Sequence, residues 1–180
     1  MELISTPMEG LWVIKPTVFQ DDRGYFYESW SRNSFNKAGL LTDFVQDNQS
    51  LSQKHVIRGL HFQNPPFAQA KLVRVIQGAV WDVAVDIRKN SASFGEAFSI
   101  ELNEANKLML YIPEGFAHGF ETLENQTIFS YKCSNIYNKA SEDSIMWNDP
   151  DLAIRWNTAH PVLSQKDMVS KPFKSLASLF

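Results

Sequence analysis

The feature that most constrains this chain is a run of eight short strand-like segments between Phe44 and Ser134, which dominate its pattern. "FVQDNQS", "VIRGLHFQ", "KLVRVIQG", "AVWDVAVDI", "AFSIEL", "KLMLYIP", "HGFETL" and "TIFSYKCS" follow one another. Turn residues fall between them, at Gly78, Asn90, Asn103 and Asn125. That spacing predicts an all-β sandwich or barrel. Before the run, "VIKPTVF" (Val13–Phe19) and the aromatic "YFYESW" (Tyr25–Trp30) read as strands around a turn ending at Gly24. "SRNSFNKAGLL" reads as a short helix, capped by Ser31 and ended by Gly39. "SEDSIMWNDPDLAIRW" is irregular, and "LSQKDM" begins a short C-terminal element.

A chain of 180 residues with 44% hydrophobic and 21% charged residues suits one soluble domain, residues 1–180. Thirteen Phe, five Trp and five Tyr supply the core. A formal charge of -3 argues against a nucleic-acid-binding domain. The single cysteine, Cys133, forms no intrachain disulfide and suits a reducing cytoplasm. The start "MELISTPMEGLWVIKP" lacks the basic and apolar regions of a signal peptide, and no apolar run reaches membrane-span length.

Alternation sorts the side chains of two segments. In "KLVRVIQ", Lys71, Val73 and Val75 share one face and Leu72, Arg74 and Ile76 the other. The ordinary expectation is that Arg74 points outward and that Lys71, at the strand end, reaches solvent. In "TIFSYKC", Thr127, Phe129, Tyr131 and Cys133 share a face, which is expected to point inward because Ser130 and Lys132 lie on the other.

"VIRGLHFQNPP" places His61 inside a strand. As a residue it could be a metal ligand, a proton-transfer base or a packed core histidine. "YIPEGFAHGF" carries Pro113, Gly115 and His118 in the spacing P-x-G-x-x-H, which resembles the second motif of the cupin superfamily of jelly rolls. Metal-binding cupins supply His-x-His and then Glu in their first motif. Here the second histidine is replaced by Gln63 and the glutamate position falls among Pro65, Pro66, Phe67 and Ala68. That leaves His61 and His118, too few for a Zn or Fe site, so the expectation is no metal.

Longer motifs carry a more specific resemblance. "DDRGYFYESW", "FVQDNQS", "VIRGLHFQNPPFAQAKLVRVIQGAVWDVAVDIRKNSASFG", "YIPEGFAHGF", "YKCSNIY", "WNDPDLAIRW" and "LSQKD" together make the chain similar to the dTDP-4-dehydrorhamnose 3,5-epimerase family, from about Gly10 to Asp167. The resemblance implies a cupin-type double-stranded β-helix with short peripheral helices. It implies inversion at C3 and C5 of a dTDP-linked 4-keto-6-deoxyhexose, without redox cofactor or metal. Such inversion needs a base, an acid across the ring and a cation for the enolate.

By the same resemblance His61 is the base, Asp167 its carboxylate partner, Tyr131 the general acid and Lys71 the enolate-stabilising cation. Gln46 and Asn48 are implied as base contacts and Arg58 as a diphosphate or sugar contact. Tyr137 is implied to stack on thymine, and His118, Glu142 and Lys166 to touch substrate. Arg23 and Glu28 are implied to reach a neighbouring subunit's site, in a homodimer paired through the N-terminal strand region. The chain departs from the family at Lys139 and Ala140, where Pro and Glu are favoured, and at Ser144, where Gly is.

Strict alternation sets Arg58 and His61 on opposite faces, so an irregularity at Gly59 is predicted. Other readings are an epimerase acting at one carbon only, a metal-dependent cupin oxygenase or isomerase, and a sugar-nucleotide-binding jelly roll without catalysis.

Overall fold

The computed structural model describes residues 1–180. The strands are β1 (Glu2–Ser5), β2 (Trp12–Lys15), β3 (Phe19–Asp21), β4 (Gly24–Phe26), β5 (Gln46–Ser52), β6 (Ile57–Gln63), β7 (Lys71–Gln77), β8 (Ala79–Asp86), β9 (Ala97–Asn103), β10 (Met109–Ile112), β11 (Phe116–Thr122), β12 (Thr127–Cys133) and β13 (Glu142–Ser144). Two short helices, α1 (Arg32–Lys37) and α2 (Gln165–Met168), and one 3-10 turn (Phe173–Ser175) complete the chain. A six-stranded sheet runs β1-β2-β10-β7-β12-β5 and a five-stranded sheet runs β13-β6-β11-β8-β9. Every strand pairing within them is antiparallel. This is the all-β sandwich predicted from the strand series, in the cupin-type jelly-roll form that the family resemblance implies.

Three apolar layers hold it together. Val73, Val75, Leu110, Ile112 and Phe129 of the first sheet meet Val80, Ala84, Leu102, Phe116 and Phe120 of the second. The outer face of the five-stranded sheet (Leu60, Phe62, Val83, Val85, Ala117) is covered by C-terminal residues including Leu152, Trp156 and Phe173. The outer face of the six-stranded sheet (Ile14, Leu72, Met109, Tyr111) is covered by Phe35 of α1 and by Leu40. Central strands are thus buried on both faces, which is why "AVWDVAVDI" reads as a nearly continuous apolar run.

α1 starts at the predicted cap: the Ser31 side chain accepts from Ser34 N. Gly39 just beyond it takes a positive φ of 87°, which suits glycine at a helix end. Other expectations needed correction. "VIKPTVF" is two strands, broken after Lys15, because Pro16 offers no N–H to a ladder. Only Tyr25 and Phe26 of "YFYESW" are in a strand; β3 and β4 form a separate exposed hairpin. β1 and β13 were not anticipated. Lys71 does not reach solvent: it is 8% exposed, sealed on the inward face with Val73 and Val75.

Candidate active site

Gly59 reshapes β6. β11 pairs His118 with His61 and Phe120 with Arg58, so two residues of β6, Gly59 and Leu60, lie opposite Gly119 alone. This is the predicted bulge. Gly59 has φ 138°, and a Cβ there would come 2.5 Å from the Gly119 Cα, so only glycine allows the strands to pass this closely. The Gly59–Leu60 peptide is cis. Both Arg58 and His61 consequently line one cavity of about 460 Å³ between the sheets.

The five-stranded sheet contributes His61 and His118 to this cavity, and the six-stranded sheet contributes Lys71 and Tyr131 from its inward face. Asp167 arrives from outside the jelly roll. Ser164 caps α2, its Oγ accepting from Asp167 N at 3.1 Å and donating to Asp167 Oδ2 at 2.7 Å. The other carboxylate oxygen lies 2.5 Å from His61 Nε2. Burial would raise the Asp167 carboxyl, but the His61 and Ser164 bonds outweigh it and hold the group below its ordinary value. A carboxylate only accepts, so Nε2 carries the shared proton, and in the neutral imidazole Nδ1 is the nitrogen with the lone pair.

Lys71 Nζ donates to the His61 backbone carbonyl at 3.4 Å and has no carboxylate in salt-bridge range. Burial lowers its pKa, with Cys133, Asp82 and Glu142 pulling the other way. A desolvated cation without a counter-ion is poised to meet an anion that forms beside it. The Tyr131 phenol is raised, chiefly by burial and against the pull of Arg58, so it stays protonated near neutrality.

Around this centre lie groups suited to a nucleotide. Arg58 turns Nε and Nη2 on Ser52 Oγ at 3.2 and 3.1 Å and faces no carboxylate. On β5, Gln46, Asn48 and Ser50 alternate onto the cavity side. Gln46 Nε2 donates to Asn48 Oδ1 at 3.0 Å, and Gln46 Oε1 accepts from Tyr137 N at 2.9 Å, so the Tyr137 backbone is fixed while its ring lies at the exposed rim. Tyr137 donates its hydroxyl to Glu142 Oε2 at 2.9 Å, and Lys166 donates to the other oxygen of Glu142. Burial would raise Glu142, but Lys166 and Tyr137 together hold it below its ordinary value. In the loop leading into β13, Asn138 Oδ1 accepts from Ala140 N and Ser141 N, and Ser144 Oγ accepts from Ser170 Oγ.

Three implied residues do not line the cavity: Lys166, which meets it only through Glu142, and two that lie farther away. Arg23 is at the tip of the β3–β4 hairpin, paired with Asp21 at 2.6 Å, and Glu28 lines a separate depression with Phe19, Phe26 and Lys37. Neither lines the cavity of its own chain. Sequence reasoning also missed residues. Asp82, fully buried on β8, receives His118 Nε2 at 3.0 and 3.1 Å. Burial pushes the His118 imidazole down, against the attraction of Asp82. Gln63 crosslinks the rim through Phe67 O, Ile136 O and Asn138 N. An acidic residue inside an apolar strand was the available signal for Asp82, because a buried carboxylate demands a partner. The two cupin-motif histidines are each committed to an aspartate, and no group of three or more His, Cys, Asp or Glu side chains converges as a metal site would.

Fold and cavity define a class: a jelly roll in which a histidine–aspartate pair on one sheet and a phenol on the other line one cavity. Comparison with known proteins names the family. The model for dTDP-4-dehydrorhamnose 3,5-epimerase matches residues 5–175. The dTDP-4-dehydrorhamnose 3,5-epimerase of Escherichia coli (strain K12) is 50% identical over 93% of this chain and 91% of its own. The crystal structure of the enzyme of that name from Elizabethkingia anophelis superposes with a TM-score of 0.92 at 50% identity, covering 97% of each chain. The dTDP-6-deoxy-D-glucose-3,5-epimerase of Legionella pneumophila, solved in complex with dTDP-4-keto-L-rhamnose, gives 0.93 at 44% identity over 97% of this chain and 94% of that one. The chain belongs to the dTDP-4-dehydrorhamnose 3,5-epimerase family.

Proposed function

We propose that this protein converts dTDP-4-dehydro-6-deoxy-D-glucose to dTDP-4-dehydro-L-rhamnose by inverting C3 and C5, a step of dTDP-L-rhamnose biosynthesis. The observation that carries this reading is the 2.5 Å His61–Asp167 pair facing Tyr131 across one cavity with Lys71 between the sheets. Both carbons are alpha to the C4 ketone. His61 Nδ1 takes the proton from one face, and Asp167 stabilises the imidazolium that results. The electron pair moves to the C4 oxygen, where Lys71 meets the enolate. Tyr131 returns a proton to the opposite face of the same carbon, and exchange with solvent resets both groups. No electron is gained or lost, so the chemistry calls for no redox cofactor.

Binding falls to the rim. Tyr137 offers a ring for stacking on thymine, worth about 1–3 kcal/mol. Gln46 and Asn48 offer amides to the base, and Arg58 offers a guanidinium fork to phosphate oxygens. His118, Glu142 and Lys166 complete the substrate contacts. Arg23 and Glu28 serve the cavity of a second copy in a homodimer. In support, Phe19 and Phe26 of the hairpin are 62% and 69% exposed in the single chain. The unpaired, buried Cys133 and the absence of any helix long and apolar enough to cross a membrane suit a cytoplasmic enzyme.

Turnover in deuterium oxide tests the reaction. Deuterium is expected at both C3 and C5 of the product. Label at one carbon alone would make the protein a single-position epimerase, and no label would refute proton transfer altogether.

A further inference from the structure

Glu121 sits near the end of β11, fully buried, yet no step proposed above uses it. A carboxylate in such a place costs far more than a neutral side chain unless its oxygens are occupied. Its Oε2 accepts from the backbone N–H of Asn157 at 2.6 Å, with Asn157 Nδ2 at 3.4 Å. Its Oε1 has no hydrogen bond and lies 3.6 Å from His55 Nδ1, which is likewise unbonded.

Asn157 begins the segment that ends at Asp167. From there the chain runs to Val162, which bridges in parallel to Val56: Val162 N donates to His55 O at 2.8 Å and Ile57 N donates to Val162 O at 3.1 Å. Two residues on, Ser164 caps α2 and presents Asp167 to His61. Glu121 pairs with Ile57 in the sheet, so its anchor lies level with that bridge.

We propose that Glu121 is a positioning residue for the catalytic base. By holding Asn157, it fixes the entry of the strap whose far end sets Asp167 against His61. The inference rests on the reading of His61–Asp167 as the base pair. It adds that the pair's geometry depends on a carboxylate that touches neither substrate nor dyad.

The test compares Glu121→Gln and Glu121→Leu, each in the wild-type and the Asp167→Asn background. Glutamine keeps an oxygen for the Asn157 N–H and should retain wild-type kcat. Leucine leaves that N–H unpaired and should lower kcat about tenfold with a smaller rise in KM, because the displaced strap end carries Asp167 and Lys166 whereas Gln46, Asn48 and Arg58 sit on strands it does not hold. In the Asp167→Asn background the leucine change should cost less than about twofold, since no dyad is left to align. Wild-type kcat in Glu121→Leu, an equal loss in both backgrounds, or a rise in KM as large as the fall in kcat would each overturn the proposal. If Asp167→Asn itself turns over normally, the base-pair reading falls first and takes this one with it. Should Glu121→Leu not fold, hydrogen exchange on the wild-type protein decides. The Asn157 amide is expected to be as protected as those of β11, and fast exchange there would refute the anchor.

Discussion

Two histidines stand opposite each other on β6 and β11, and each has one aspartate. The pairs are chemically alike and physically different. His118 and Asp82 come from adjacent strands of one sheet; the imidazole is 8% exposed and the carboxylate not at all. Burial pushes His118 down, so it stays neutral near pH 7 and donates Nε2–H to Asp82 as a fixed strut. His61 is 29% exposed to the cavity, and its aspartate comes from a helix outside the jelly roll, 106 residues further on. Asp167 remains a carboxylate, with a shorter approach to its histidine. Both imidazoles line the cavity, but only His61 leaves a substantial part of its ring open to it, while His118 is held almost wholly within the sheet.

Removing each pair's members should break this contrast if it is wrong. The largest effect belongs to His61→Ala, expected to lower kcat by about 10²–10⁴ while leaving dTDP affinity, measured by calorimetry, near wild type. Asp167→Asn should follow, lowering kcat by about 10²-fold, because an amide does not stabilise the imidazolium as a carboxylate does. It should also alter acid stability. The Asp167 pKa is depressed in the folded chain, so its contribution is present above the ordinary carboxyl value and is lost as pH falls through the folded one. Denaturation midpoints of wild type and Asp167→Asn should therefore converge as pH drops below about 4.

Asp82→Asn should lower kcat by less than about tenfold, since His118 is already neutral and an amide oxygen still accepts from Nε2. A loss as large as that of Asp167→Asn would mean that both pairs carry protons. The smallest effect on turnover belongs to Asp86→Asn. Burial would raise Asp86, but Arg88, Ser91 and Ser93 hold it down to about 2, well outside the cavity. Its loss should cost about 2 kcal/mol of stability at neutral pH, a difference that fades between about pH 4 and 2, with kcat unchanged.

The fold was legible where alternation or apolar runs were strong, and failed where they were weak. β7 and β12 sorted their faces as alternation predicts. β13, "EDS", carries no apolar signal; it is a strand only because Glu142 and Ser144 find Gln63 and His61 across the ladder. The bulge at Gly59 followed from requiring Arg58 and His61 to share a cavity. The approach of Asp167 to His61 had no local trace and came from family resemblance alone. Asp82 and Glu121 were overlooked because an acid inside "WDVAVD" or "GFETL" breaks the apolar pattern without saying which partner it meets. For Lys71 alternation alone favoured solvent, as is usual for a strand-end lysine, and only the family resemblance pointed to the buried place in the cavity where it lies.

The strap that delivers Asp167 has a consequence for the order in which the enzyme is made. On the ribosome, the strands carrying Arg58, His61, Lys71 and Tyr131 emerge well before Ser164 and its cap. Until Asp167 has been added to the chain, His61 has no carboxylate to pair with. The His61–Asp167 contact exists only once one short capped helix has docked against β6.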